Sequence, residues 1–297
     1  MIDTRSLEIF YWIAQLGSFR RAAMRLNTTQ PAVSHRIANL EADLGVDLFI
    51  RGPRVATLTS KGRELMDYAE RILHLMEETE RAVASPDKIS GVVRIGVAET
   101  IVHTWLTRFI EKAYIRYPSV TLEIEVDVSP NLRNSLVENA LDIAFLLGPV
   151  SEPTMWNQDL SKYPLSFVAR SSMSLEGETV KLEELVKTPI ITYHKTTRPY
   201  LLLRKALTRP DLPAPRIYSN SSLSTIVRMT LDGIGISVIP PAVIRPELAR
   251  KELTLIETDV DLPDLLFTVT MPSALRGSLP KLIADLAIET AQESENR

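Results

Sequence analysis

Cysteine is absent from the 297-residue chain, so neither a disulfide nor a thiolate-held metal can form. Histidine is scarce and scattered: His35, His74, His103 and His194 show no metal-ligand spacing. No Gly-x-Ser-x-Gly run occurs, and Gly91 to Gly96 lacks the form of a phosphate loop. Without a nucleophile–base constellation, catalysis is disfavoured, and no metal or cofactor is expected. Long apolar runs are missing as well. The richest, Ile234 to Ile244, contains Pro240 and Pro241 and falls far short of a membrane span. Leu7 to Leu16 carries Glu8 and Gln15 with no basic run before it, unlike a signal peptide. A cytoplasmic protein without a membrane partner is expected.

Strong charge of either sign is also lacking, since the net charge is −3. Its distribution is more informative. Residues 1–60 hold seven Arg (Arg5, Arg20, Arg21, Arg25, Arg36, Arg51 and Arg54) against five acids, a local +2 with no Lys. Arginine is the side chain suited to phosphate and guanine.

Hydrophobic spacing divides the chain. Leu7, Phe10, Tyr11 and Ala14 predict a helix over 4–16, ended by Gly17. Ser18 stands as the N-cap of a short helix ending before Asn27-Thr28-Thr29. A third helix runs from Gln30 to Asp43 with Pro31 in its first turn and a stripe of Ala32, Val33, Ile37 and Leu40. Leu48–Arg51 and Val55–Leu58 read as a hairpin turning at Gly52-Pro53. Three short helices and a hairpin make a winged helix-turn-helix over 1–60, the helix-turn-helix itself at about 19–38.

A long helix follows from Thr59 to about Ser85. Leu58, Gly62, Leu65, Ala69, Ile72, Met76, Thr79 and Val83 recur at 4-3-4-3 spacing along it, an a/d seam. The seam reads as a dimer interface, with packing on the chain's own core as the alternative. This linker covers 59–86, and Asp87 to Gly91 is a polar hinge. Beyond it strands and helices alternate, predicting a largely parallel α/β sheet. Strands are expected at 92–98, 120–128, 141–146, 165–170, 190–193, 216–219, 235–239 and 266–271. Helices are expected at 103–117, from Pro130, and at 199–208, 222–232 and 279–292. Two α/β lobes result over 91–297: one from 91–162 and 266–297, the other from 163–265.

The residues from Leu7 to Gly62 carry a further pattern. Gly17-Ser18-Phe19, Ala22-Ala23, Gln30-Pro31-Ala32-Val33-Ser34, Leu40-Glu41, Leu44-Gly45, Leu48-Phe49 and Leu58-Thr59 stand at fixed, ungapped spacing. The run resembles the DNA-binding domain of LysR-type transcriptional regulators. Leu141-Asp142-Ile143-Ala144 and Asp232 to Pro240 resemble strands of that family's effector-binding domain. The departures are Thr29, where Ser is commoner, and His35, where Arg or Gln is frequent; they bear on operator sequence, not binding mode.

The resemblance implies a sequence-specific DNA-binding regulator with a periplasmic-binding-protein-like effector domain. A recognition helix enters the major groove by its N-terminal part. That places Thr29, Gln30, Pro31, Ser34 and His35 at base edges, with Arg36 and the Ser18 region at phosphates. Arg54 at the wing tip is suited to a narrow minor groove and Arg51 to phosphate. Paired readers imply an imperfect palindrome and a homodimer through the linker helix. The family pattern further implies a tetramer, and RNA polymerase is among the partners such a regulator can meet.

In open α/β sheets ligands sit beyond the carboxyl ends of strands. The loops there supply Thr100, Ile101, His103, Ser129, Asn131, Gly148, Tyr193, His194, Ser221 and Ser222 as effector candidates. Hydroxyls and amides at helix N-termini suit a small anionic metabolite, and helix capping is the alternative for each. His194, Lys195 and Arg198 can add positive charge at the cleft mouth. A purely architectural DNA binder would leave the two α/β lobes unused.

Overall fold

The computed structural model describes residues 3–50, 56–83, 89–173, 179–275 and 278–295. They divide into two units, one over 1–85 and one over 86–275 and 279–297.

The N-terminal unit is built from α1 (Thr4–Leu16), α2 (Phe19–Arg25), α3 (Gln30–Leu44), β1 (Phe49–Ile50), β2 (Thr57–Leu58) and α4 (Ser60–Val83). Each start has a chemical cause. Asp3, Ser18 and Thr29 accept the N–H of Ser6, Arg21 and Ala32, meeting donors that a helix's first turn cannot satisfy itself. Gly17 and Gly45 end α1 and α3 in the left-handed region, at φ 61° and 67°. Phe10, Ile13, Ala22, Val33, Ile37 and Leu40 form the core. Phe49 is held between Phe10 and Phe19, with both ring centroids 5.4 Å away, which seats the hairpin on the helices. The Glu41 carboxylate accepts the N–H groups of Leu48 (2.7 Å) and Phe49 (3.2 Å), tying α3 to the start of the hairpin.

Ala32 departs from the expected stripe: it is exposed, and α3 buries only Val33, Ile37 and Leu40. A small residue at the crowded helix entry has no partner surface there. The wing tip with Arg51 and Arg54 lies outside the described residues, as do the end of the linker and Asp87-Lys88 of the hinge.

The linker seam serves two purposes. Leu58 and Leu65 pack on the N-terminal core and Ala69 is fully buried in it. Further along the seam Ile72 and Met76 are 41% and 37% exposed, and beside it Tyr68 and Leu75 are 55% and 62% exposed. The own-core alternative therefore describes the first half, and in the second an apolar strip stays exposed among the described residues.

The C-terminal unit holds β3 (Ser90–Val97), α5 (Glu99–Val102), α6 (Leu106–Arg116), β4 (Ser119–Val126), α7 (Ser129–Val137), β5 (Ile143–Leu147) and β6 (Met155–Pro164). The chain then crosses to β7 (Ser166–Arg170), α8 (Leu182–Leu185), β8 (Ile190–Tyr193), α9 (Arg198–Leu207), β9 (Ile217–Asn220), α10 (Leu223–Leu231), β10 (Ile236–Ile239), α11 (Arg245–Ala249) and β11 (Leu253–Ile256). It returns through β12 (Asp264–Pro272) and α12 (Leu279–Glu295). The two sheets run β4-β3-β5-β12-β6 and β11-β7-β10-β8-β9.

Neither sheet is largely parallel, which corrects the expectation. β4-β3-β5 and β10-β8-β9 are parallel, but β12 pairs antiparallel with β5 and β6, and β7 with β10 and β11. The crossing strands reverse direction because they connect the sheets instead of returning over a helix. β6 and β11 were not expected, the helix expected over 103–117 is α6 over Leu106–Arg116, and the short α5 stands before it where a loop was expected. Trp105, almost fully buried against Phe145 (5.6 Å) and Phe109 (6.3 Å), sits in the break between α5 and α6. Asp142 ties β3 to β5: its carboxylate accepts the Arg94 backbone N–H (2.9 Å), Nε (3.2 Å) and Nη2 (3.1 Å).

Replacing Glu41 by Ala leaves the Leu48 and Phe49 N–H groups without their acceptor. Urea unfolding of the N-terminal unit is expected to show a loss of about 1–3 kcal/mol, with faster amide exchange at both positions; unchanged exchange would refute the tie.

Candidate functional site

Two places stand out as candidate sites, an exposed polar helix entry and a cavity. The first is the entry of α3. Thr29, Gln30, Pro31 and His35 are exposed there and Ser34 is half-buried. Their internal ties are weak: Gln30 Nε2 lies 3.5 Å from Ser34 Oγ, and His35 Nδ1 lies 3.3 Å from Asn39 Nδ2. Thr29 also caps the helix, which fixes the orientation of its first turn. Arg36 contacts Asp3 at 3.3 Å, with both side chains about half exposed, so a phosphate can compete for it at little cost.

Arg20 and Arg21 open α2 beside the capping Ser18 and have no carboxylate partner among the described residues. Both are exposed, and the sequence reading did not single them out as site residues although Ser18 beside them was. Arg25 stacks on Trp12 at 4.8 Å.

The second place is a cavity of about 410 Å³ where the carboxyl ends of β3, β4, β5, β8 and β9 converge. Its walls are mostly apolar, with Leu146, Leu147, Val150, Pro199, Leu265 and Phe267 contributing. Of the expected residues, Thr100, Ser129, Tyr193 and Ser221 line it. Six others do not. Ile101 is buried in the core, and His103 Nε2 instead meets Ser224 Oγ at 3.2 Å. Asn131 binds the Asp127 carboxylate at 2.9 Å, and His194 Nδ1 meets Thr196 Oγ1 at 2.9 Å. Ser222 caps α10. Gly148 is pressed onto β12, where a Cβ would stand 2.0 Å from Thr268 Oγ1; its neighbours Leu147 and Pro149 line the cavity in its place.

Reasoning from sequence missed Arg133, Leu265 and Phe267. Arg133 follows Ser129 by four residues on α7, and Leu265 and Phe267 alternate along β12; both spacings were legible. Arg133 is ion-paired with Glu152, while Arg198 lines the cavity with no ionic partner among the described residues. His194 and Lys195, expected beside Arg198 at the cleft mouth, are not on the cavity.

The polar groups around the cavity are heavily committed. Asp127 accepts the Val128 N–H at 2.6 Å and the Asn131 side-chain amide, and Ser129 Oγ accepts the Leu147 N–H at 2.9 Å. Thr100 Oγ1 and Tyr193 OH meet at 3.4 Å across the cleft. Burial pushes the Tyr193 phenol up, against the hydrogen bond with Thr100, so it stays neutral. Burial works against the Glu99 charge, but hydrogen bonds from His103, Leu223 and Ser224 outweigh it and hold this carboxyl below its ordinary value.

A helix-turn-helix with an exposed recognition face, joined in one chain to a two-lobed α/β unit with a cavity in its cleft, defines the class of ligand-responsive DNA-binding proteins. The chain matches two family models. Residues 4–63 match the bacterial regulatory helix-turn-helix protein of the lysR family, and residues 86–291 match the LysR substrate binding domain. The chain belongs to the LysR family, and it is a LysR-type DNA-binding transcriptional regulator with an effector-binding domain. It is 29% identical over 243 residues to the HTH-type transcriptional regulator CzcR of Bacillus anthracis, spanning 82% of each chain. Among solved structures it is similar to a full-length OxyR variant of Pseudomonas aeruginosa (TM-score 0.62, 21% identity, 98% of this chain and 95% of that one). It is also similar to full-length LysG of Corynebacterium glutamicum with bound effector Arg (TM-score 0.61, 17% identity, 98% and 99%).

Gln30→Ala is expected to cost about 1–3 kcal/mol on a matched operator and to relax sequence preference, whereas Arg36→Ala weakens all sequences alike. Titrations on matched and mutated operators check this. A Gln30→Ala protein with unchanged affinity and preference would contradict the assignment.

Proposed function

We propose that this regulator reads an imperfect palindrome as a homodimer and is switched by a small anionic, largely apolar metabolite held in the cleft cavity. The observation that carries the reading is the cavity itself. It lies at the strand ends where open α/β sheets hold ligands, is walled by Leu and Phe side chains, and carries Arg198 without an ionic partner among the described residues. A ligand with an apolar body and one negative group matches that lining. Thr100, Ser129, Tyr193 and Ser221 are its nearest polar contacts. Residues 1–60 act as the reader, 59–86 as the linker and 91–297 as the effector domain.

In the reader, Thr29, Gln30, Pro31, Ser34 and His35 face bases, while Arg36, Arg20, Arg21 and the Ser18 region face phosphates. Arg51 and Arg54 of the wing complete the contact. Two readers joined through α4 meet half-sites about one helical turn, roughly 34 Å, or a multiple apart. The exposed Tyr68, Ile72, Leu75 and Met76 supply the apolar surface for that pairing. The family pattern extends the dimer to a tetramer and makes RNA polymerase a further partner. The effector acts by favouring one closure of the lobes, which changes the splay of the paired readers.

The protein is not an enzyme and works in the cytoplasm. Family membership supports both statements. Among the described residues no helix is long and apolar enough to cross a membrane.

Two measurements test this. A metabolite library read by thermal shift is expected to single out small organic anions, with a Tm rise that Arg198→Ala reduces; a library in which only metal ions act would overturn it. Sedimentation of Ile72→Asp/Leu75→Asp is expected to show a lower oligomeric state than wild type. An unchanged state would remove α4 as the pairing surface.

A further inference from the structure

The N-terminus of α10 lies just past the carboxyl end of β9, where a sheet of this kind offers its backbone N–H groups to an anion. Here an anion is already in place, and it belongs to the protein. Glu99 reaches from the first lobe, at the end of β3, to α10 in the second. One carboxylate oxygen accepts the Leu223 N–H at 2.5 Å. The other accepts the Ser224 N–H and the Ser222 hydroxyl, both at 3.3 Å. His103 supports the same contact, with Nε2 at 3.7 Å from the carboxylate and 3.2 Å from Ser224 Oγ.

These are the bonds an external carboxylate would make, delivered intramolecularly at a high effective concentration. They also bridge the two lobes. Arg198, on the cavity wall, has no such internal occupant among the described residues.

We propose that Glu99 is a specificity-determining residue of the cleft: a built-in counter-anion that fills the N-terminus of α10, holds the lobes together before any ligand arrives, and leaves an incoming anion the arginine side of the cleft, with Arg198 the one cation there without an ionic partner among the described residues. The specificity half rests on the cavity's being the effector site; the clasp does not.

Amide exchange at Leu223 and Ser224 in the full-length protein reads the clasp directly, because first-turn amides otherwise exchange freely. Both are expected to slow at least about tenfold in wild type relative to Glu99→Ala. Formate is expected to restore protection in Glu99→Ala and to leave these amides of wild type unchanged, with chloride at equal ionic strength inactive. Equal rates in wild type and Glu99→Ala would overturn the proposal. So would failure of formate to protect the variant, or formate protection of these amides in wild type. The Ile236 to Ile239 amides report whether a variant is folded. Should Glu99→Ala fail there, Glu99→Leu, which keeps the bulk and carries no acceptor, takes its place: faster exchange at Leu223 and Ser224 supports the clasp and unchanged exchange overturns it. A cavity that takes no ligand leaves these amide results untouched, so the two readings fail separately.

Discussion

The first turn of every helix has backbone N–H groups with no partner of their own, and this constraint organises both working ends of the protein. In the N-terminal unit Ser18 and Thr29 meet one such donor each, which orients α2 and α3 and leaves their remaining donors and exposed side chains turned outward. In the C-terminal unit the strand ends aim helices at a shared cleft, and the chain supplies its own acceptor to the first turn of one of them, Glu99 to α10. The DNA-reading end thus keeps donors facing solvent, while the cleft spends most of its donors internally. What such a cleft leaves over is an apolar wall and two guanidinium groups, Arg198 without an ionic partner among the described residues and Arg133 paired with Glu152.

The same arrangement bears on switching. Few polar contacts bridge the two lobes beside the cavity, and those at Glu99, Thr100 and His103 are hydrogen bonds at the cleft's edge. Each contributes on the order of 1 kcal/mol net, or somewhat more where a charge takes part. Such a balance is within reach of ordinary ligand binding energies, since a ligand shifts an equilibrium only by its differential affinity for the two states.

Much of this was legible in the sequence, and the physical reasons divide it cleanly. Helix starts at Ser18 and Thr29 and stops at Gly17 and Gly45 are written locally, so α1 and α3 fall within a residue of expectation. β6 was illegible because Trp156-Asn157-Gln158-Asp159 gives no apolar alternation; its order comes from a long antiparallel pairing with β12. Strand direction was illegible for a related reason, since spacing reveals a strand and not the partner it will find. At the cavity, the loops could be named because strand ends fix them. Whether Ser222 caps or Ser221 lines could not, because Glu99 arrives from 123 residues away in sequence. The linker seam combined two facts in one pattern: Ala69 packs inward while Ile72 and Met76, further along, stay partly exposed among the described residues.

The central claim is that occupancy of the cleft controls how the reader meets DNA. Its most direct test is a footprint of the full-length protein on its operator, with the cavity empty and with it saturated by a ligand whose binding depends on Arg198. The account predicts a changed footprint, with the protected half-sites shifted or a bend-sensitive position altered. Identical footprints and identical transcription at saturation would contradict it.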